Sequence, residues 1–356
     1  MTTIHNFSAG PAALAKPVRE RLADTFGLDR LDEPSVAEIS HRGPAFIELA
    51  EQLEAGLRTL MGIDDNHAVL LLQGGAQHQF AMLPMNLAHQ RTPTYVITGH
   101  WGEQAFEESS RITKTMLAAS NADIEYLDLP ELGHLPGNCA YLHYTGNETI
   151  HGVQYEQPPS AGLPLVADLS SEFLSRPYPY IELGVAYASA QKNLGIAGLT
   201  VVVIRRDLLE RIPDGLPKML DYRTWVRTDS MQNTPCTVAW YVALETVRWI
   251  ESIGGLAAMG QRNQAKAAAL YAAIDQSDFY ANAVHAEARS IMNVPFVLAE
   301  PDRTMDFVQQ AEQAGMPGLK GHRAVGGLRA SLYNALEQDA VTDLMAFMQE
   351  FERTAG

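Results

Sequence analysis

Cysteine is nearly missing from this chain: Cys139 and Cys236 are the two in 356 residues. Two thiols exclude a disulfide framework and suit a reducing compartment. No apolar run approaches the ~20 residues needed to cross a bilayer. The opening stretch MTTIHNFS has neither a basic nor an apolar region, so no secretion signal is expected. Basic residues are scarce as well: 26 Lys and Arg against 42 Asp and Glu give a formal charge of −16. A nucleic acid or an anionic membrane is therefore not expected as a partner. These shortages predict a cytoplasmic protein in which any anionic ligand is drawn to a local cluster of cations. The eleven histidines form no HExxH or HxH spacing, so no metal is expected. Neither a G-x-S-x-G elbow nor a Walker loop is present.

What the chain does have is core. Apolar residues make up 46% and charged residues 19%, the balance of a globular protein. At ~150 residues per domain, the length suggests two domains or one large α/β unit with an appendage. Apolar runs at 69–72, 95–98, 140–144, 165–167, 185–190 and 199–204 read as strands. Segments 79–88 and 103–113 have the helical period. This alternation predicts βα units and a mostly parallel sheet, with ligands beyond the carboxyl ends of its strands. Long helices are expected over 241–253, closed by Gly254-Gly255, and over 261–274. A strand at 291–298, a helix at 303–314, a strand at 328–333 and a helix at 341–354 then have the make-up of a small α+β domain. The division is placed at 16–258 for the large domain and 259–356, with 1–15, for the small one.

One lysine stands out. In SAQKNLGIAGLT (189–200), Lys192 is the only charge between two buried runs. A lysine whose ammonium reaches solvent from a strand end would fit. So would a Schiff-base lysine, whose amine is freed as a nucleophile by an apolar setting. The second reading needs a carbonyl partner, and pyridoxal phosphate makes three demands on its surroundings. An anion for the ring nitrogen is available in Asp168, which ends the run PLVAD; it also suits a helix N-cap. A phosphate cradle is available where LLLQGGAQHQF turns from strand through Gly74-Gly75 into a helix at Ala76-Gln77. An aromatic face is available in Trp101 of GHWGEQA, which also suits a core tryptophan. All four features fall at strand ends.

Two His-Arg pairs, His41-Arg42 in ISHRGPAF and His322-Arg323 in KGHRAVGGLRAS, lie in glycine-flanked loops, and Arg329 follows the second. Each fits an ordinary surface turn. As a set they suggest a substrate with two anionic groups, a carboxylate and a phosphate, since arginine binds both with paired N–H donors. Met82 and Met85 read as core, and Cys139 as buried in a strand.

These motifs resemble those of the phosphoserine aminotransferases, a family of the class V group of fold-type I pyridoxal phosphate enzymes. The resemblance runs through NFSAGPAAL (6–14), SHRG (40–43), NETIHG (147–152), ADLSS (167–171), SAQKNLGIAGLT, NTPCTVAWY (233–241), SDFY (277–280), MNVPF (292–296) and GHRAVGGLRAS (321–331). It implies a large domain with a mostly parallel seven-stranded sheet between helices, and a small α+β C-terminal domain. It implies that Lys192 bonds to pyridoxal phosphate, Asp168 pairs with the ring nitrogen and Trp101 stacks on the ring. Thr149 would meet the phenolic oxygen, and Ala76, Gln77 and Gln191 the phosphate. Asn233 and Thr234 would reach that phosphate from a second subunit, making a homodimer with shared sites. Arg329 would take the substrate α-carboxylate. His322 and Arg323, with His41 and Arg42 of the partner, would hold the substrate phosphate or the distal carboxylate of glutamate.

The implied reaction is transamination between L-glutamate and 3-phosphohydroxypyruvate, giving O-phospho-L-serine and 2-oxoglutarate in serine synthesis. A related phosphorylated oxo acid of pyridoxine synthesis is a second candidate substrate. Two departures stand out. Relatives carry a third glycine, and often an arginine, where this chain has Ala76 and Gln77; Cys236 replaces a usual proline. The rival readings are another class V enzyme, such as an alanine–glyoxylate aminotransferase, and a non-catalytic binding protein on the same fold. A cysteine desulfurase would need a catalytic cysteine on a mobile loop, which neither thiol resembles.

Overall fold

The computed structural model describes residues 4–25 and 34–355; residues 1–3 of the expected small domain lie outside them. A seven-stranded sheet is formed by β1 (His67–Gly74), β2 (Thr92–Ile97), β3 (Met116–Ser120), β4 (Cys139–Thr145), β7 (Leu165–Asp168), β8 (Val185–Ser189) and β9 (Gly198–Arg205), in the order β1-β9-β8-β7-β4-β2-β3. A short hairpin, β5 (Asn147–Glu148) with β6 (Val153–Gln154), projects after β4. Neighbouring strands from β3 to β8 pair parallel, while β9 runs antiparallel to both β8 and β1. The carboxyl ends of the other six therefore share one rim.

The strands read as unbroken apolar runs because both faces of the sheet are covered. On β1, Val69 and Leu71 face a core that includes α2 (Pro44–Met61) and α6 (Thr237–Ser252). Ala68, Leu70 and Leu72 face the opposite core, with residues of α3 (Ala76–Leu87), α4 (His100–Ile112) and α5 (Tyr222–Arg227). Each such side chain, fully buried, contributes roughly 1.5–3 kcal/mol by leaving water. Where α2 meets α6 the contact depends on Gly56, since a Cβ there would lie 2.5 Å from Val247.

A second sheet, in the order β10 (Tyr280–Ala281), β11 (Asn293–Leu298), β12 (Leu328–Ser331), is wholly antiparallel. Its own core takes in α7 (Gly255–Asp275), α8 (Thr304–Gln313) and α9 (Gln338–Ala355). Phe7 is buried in this second core, whereas Ala15, just before α1 (Lys16–Thr25), belongs to the first. Gly254, at φ 104°, separates α6 from α7.

Two helices start earlier than their periodicity suggests. α3 opens at Ala76, where the His78 ring accepts the Gly75 N–H (3.3 Å). α4 opens at His100 behind Gly99, which supplies no side-chain cap, so Trp101 lies within the first helical turn.

Candidate active site

The strand ends converge on a cavity of about 460 Å³ lined by Ala76, Gln77, Trp101, Thr149, Asp168, Gln191, Lys192, His322 and Arg329. Lys192 lies in the turn that follows β8. Leu194 and Gly195 both donate backbone N–H groups to Ala190 C=O, which curls the chain tightly enough to aim the lysine back over the rim. Its stem runs along Gly10, where a Cβ would stand 3.5 Å from Lys192 Cγ. The Nζ donates to Thr149 Oγ1 at 3.0 Å and lies 5.9 Å from the centre of the Trp101 ring. The ammonium is thus turned into the cavity rather than out to solvent.

Asp168 ends β7, buried, and one of its oxygens accepts the Ser170 N–H at 2.9 Å. Burial pushes its carboxyl above the usual range, while the Ser170 contacts and the Lys192 charge pull it back. At the head of α3, Ala76 N–H donates to Ser189 Oγ (2.7 Å). Buried polar atoms around the cavity are left over: Trp101 Nε1, Gln191 Oε1 and Arg329 Nε have no partner among the described residues. Buried donors and acceptors are normally satisfied, so leftovers that converge on one cavity mark a place for a polar ligand. A helix N-terminus, a buried carboxylate, a lysine amine and an indole together fit the phosphate, ring nitrogen, carbonyl and face of pyridoxal phosphate.

The chain matches the aminotransferase class-V family over residues 4–344. It is a class-V aminotransferase. It is 46% identical, over 99% of both chains, to a phosphoserine aminotransferase of Ruthia magnifica subsp. Calyptogena magnifica, and 45% identical over the same shares to one of Geobacillus kaustophilus. The structure of phosphoserine aminotransferase from Bacillus circulans subsp. alkalophilus superposes with a TM-score of 0.96 at 44% identity, covering 99% of each chain. A PLP-bound phosphoserine aminotransferase from Trichomonas vaginalis superposes at 0.93 with 39% identity, over 97% of this chain and 99% of that one. An alanine–glyoxylate aminotransferase of Nostoc sp. shares the fold at 16% identity and a TM-score of 0.77.

The other residues singled out in the class-V sequence lie outside the cavity. Arg323 is exposed in the loop beyond His322. Thr234 C=O accepts a hydrogen bond from Gln73 Nε2 near the end of β1, and neither Asn233 nor Thr234 lines the cavity. Asn233 Oδ1 is likewise unpartnered. His41 and Arg42 lie in a separate cleft of about 510 Å³ beside Met231 and Trp240. Cys139 is buried at the start of β4, and Cys236 is exposed at the N-cap of α6, its Sγ 4.0 Å from where a Cβ on Gly198 would be.

Several contributors were not evident in the sequence. Ala9 and Gly10 line the cavity, and Ala12 N–H donates to Gln191 C=O at 2.9 Å, so the N-terminal segment braces the lysine turn. Buried asparagines join the two cores. Asn334 N–H donates to Asn193 Oδ1 (3.0 Å), Asn263 Nδ2 to Asn334 Oδ1 (2.8 Å) and Asn147 Nδ2 to Asn293 Oδ1 (2.8 Å). The first of these bonds ties the segment just beyond β12, the strand that carries Arg329, to the turn that carries Lys192, and the third ties β5 to β11. Asn147, Asn193 and Asn293 fall inside the quoted motifs NETIHG, SAQKNLGIAGLT and MNVPF, a signal that was available but carried no chemistry by itself; Asn263 and Asn334 lie outside every quoted motif.

Proposed function

We propose that this chain is a phosphoserine aminotransferase that uses pyridoxal phosphate to exchange an amino group between L-glutamate and 3-phosphohydroxypyruvate, reversibly giving O-phospho-L-serine and 2-oxoglutarate. One observation carries the reading: Lys192, Asp168, Trp101 and the head of α3 meet in the same cavity as His322 and Arg329. The full-length relatives near 45% identity point the same way. A phosphorylated oxo acid of pyridoxine synthesis fits the same anion pocket.

Pyridoxal phosphate, when bound, supplies a carbonyl for the substrate amine and a ring that draws electrons from the breaking Cα–H bond. The protein's part is to hold, orient and move protons. Asp168 offers a buried anion to a protonated ring nitrogen, Trp101 an apolar face, Thr149 a hydroxyl, and Ala76, Gln77 and Gln191 donors for the phosphate. Gln77 lacks the charge that arginine would bring, so the phosphate leans more on backbone N–H groups. The Lys192 amine, held over the cavity, would take the proton from the substrate Cα and deliver it two bonds away, to the carbon that carried the cofactor's carbonyl. Arg329 binds the α-carboxylate through charge-assisted hydrogen bonds. His322 and Arg323 take the second anion.

The proposal includes a homodimer in the cytoplasm, with His41, Arg42, Asn233 and Thr234 delivered to the partner's cavity. The separate position of these residues within one chain supports that assembly, and two unpaired cysteines suit that compartment. No described helix is long and apolar enough to cross a membrane. The large domain is taken as 16–258 and the small one as 259–356 with 1–15.

The test is the visible absorbance of the protein loaded with pyridoxal phosphate, before and after O-phospho-L-serine is added alone. A yellow band that bleaches to the pyridoxamine form is expected. A band that ignores phosphoserine and responds to alanine would overturn the substrate, and a protein that never turns yellow would overturn the chemistry.

A further inference from the structure

Glu148 is fully buried, and its carboxylate is held by two backbone N–H groups rather than by an arginine or lysine side chain. Its Oε1 accepts the Gly102 N–H at 2.8 Å and its Oε2 the Trp101 N–H at 3.2 Å. A helix is usually capped by its own N-cap side chain, but Gly99 has none to offer α4. The cap comes instead from a residue 46–47 positions away. The chain makes room for it: a Cβ on Gly99 would fall 2.7 Å from Glu148 Cδ and 2.6 Å from His151 Nδ1, and one on Gly102 would fall 3.4 Å from Glu148 Oε1. The GHWG sequence thus reads as two glycines clearing space for one carboxylate on either side of Trp101.

The other end of the lever is equally fixed. Glu148 pairs with Val153 in the β5–β6 hairpin, and its C=O accepts the Gly152 N–H at 2.8 Å. The next residue, Thr149, takes the Lys192 ammonium. Two adjacent residues therefore govern the two groups that face each other across the cavity.

We infer that Glu148 is a positioning residue: its carboxylate holds Trp101 in the first turn of α4 and registers the indole against Thr149 and Lys192, so that the aromatic face that would receive the cofactor is fixed relative to the lysine. The carboxylate faces Asp168 and Lys192 across the site, and Tyr126 and His151 on the outer side of Gly99. Burial raises its pKa to about 7, with the two amide donors acting against that rise. What fixes the carboxylate's place is the pair of backbone N–H donors, one on each oxygen.

The role rests on the pyridoxal phosphate reading, and the experiment separates the two. Glu148→Gln and Glu148→Ala would be compared with the wild-type full chain. For Gln, which keeps one acceptor and the volume, the dissociation constant of pyridoxal phosphate is expected to rise about tenfold, the equivalent of one charge-assisted bond. The induced circular dichroism of the bound cofactor should weaken, kcat should fall by a similar factor, and KM for phosphoserine should stay within about twofold. Ala should exceed Gln in each effect. A purely structural role would lower the melting temperature of both variants and leave cofactor affinity and dichroism unchanged, which would overturn the inference. Should Ala fail to fold, Gln still decides. Trp101 emission, read at about pH 8 without cofactor as the difference from Trp101→Phe, should shift to the red in Glu148→Gln; an unchanged emission would refute the role. Should the wild-type chain take up no pyridoxal phosphate, the functional reading fails and this emission still settles what Glu148 does.

Discussion

The two His-Arg pairs look alike in sequence and are treated differently by the fold. His322 is carried into the cavity by the loop before β12, which also brings Arg329 to the same wall. His41 and Arg42 precede α2 and open onto a different cleft, beside Trp240 and Met231. His322 of the first pair joins Arg329 in completing a cavity wall from within one chain, while Arg323 stays exposed in the loop beyond it. The second has meaning for that site only if another copy supplies it. A motif thus reports which chemistry a chain carries, while the topology reports whose site the chemistry serves.

The sharpest way to break this comparison is to separate the two halves. Lys192→Ala should lower turnover by at least about a thousandfold, because it removes the amine proposed to move the Cα proton. Arg42→Ala should cost roughly a hundredfold in kcat/KM. Refolded together in equal amounts, the two inactive variants should recover about a quarter of wild-type activity, the share of intact sites in randomly paired isologous dimers. No recovery would place Arg42 outside the partner's site.

A smaller effect sharpens the other side. Arg329 is 9% exposed and its Nε is unpartnered. Arg329→Lys keeps the charge and loses the paired donors, so KM for glutamate should rise about tenfold with kcat less affected. Kinetics of glutamate half-reactions would check it, and an unchanged KM would remove Arg329 from the carboxylate.

The effect with the least bearing on activity is on the scaffold shared by both halves. His143, on β4, is buried against Tyr95 and meets Tyr187 Oη at 2.8 Å. Burial lowers its pKa from 6.5 to about 3. Between those values the unfolded chain binds the extra proton and the folded chain does not. Stability is therefore full above pH 6.5 and is lost as pH falls toward 3, by up to about 1.4 kcal/mol per pH unit. His143→Gln should flatten the acid limb of a denaturation series; an unchanged limb would show that His143 is not the group responsible.

Much of this was legible in the residues. The buried runs 185–190 and 199–204 announced β8 and β9, because strands covered on both faces need no polar alternation. That Lys192, Asp168 and Trp101 would share one cavity was legible because each follows or ends such a run. The start of α3 was legible in the Gly74-Gly75 turn, although its apolar period begins only at Gln79. The start of α4 was not. Its first turn is glycine-flanked, and the signal that caps it, the distant Glu148, does not resemble an ordinary cap.

The sequence by itself determined the chemistry: a lone lysine between buried runs, a strand-end aspartate and arginines enough for two anions, in an otherwise acidic chain. Side-chain type and local period carry that much. The tertiary structure decided proximity. It brought Asn334 to Asn193, Gly10 to the Lys192 stem and Glu148 to the amides of Trp101 and Gly102. It also kept His41 and Arg42 away from the cavity built by the same chain. Contacts between residues dozens to hundreds of positions apart depend on how helices and sheets pack, and no local pattern records them.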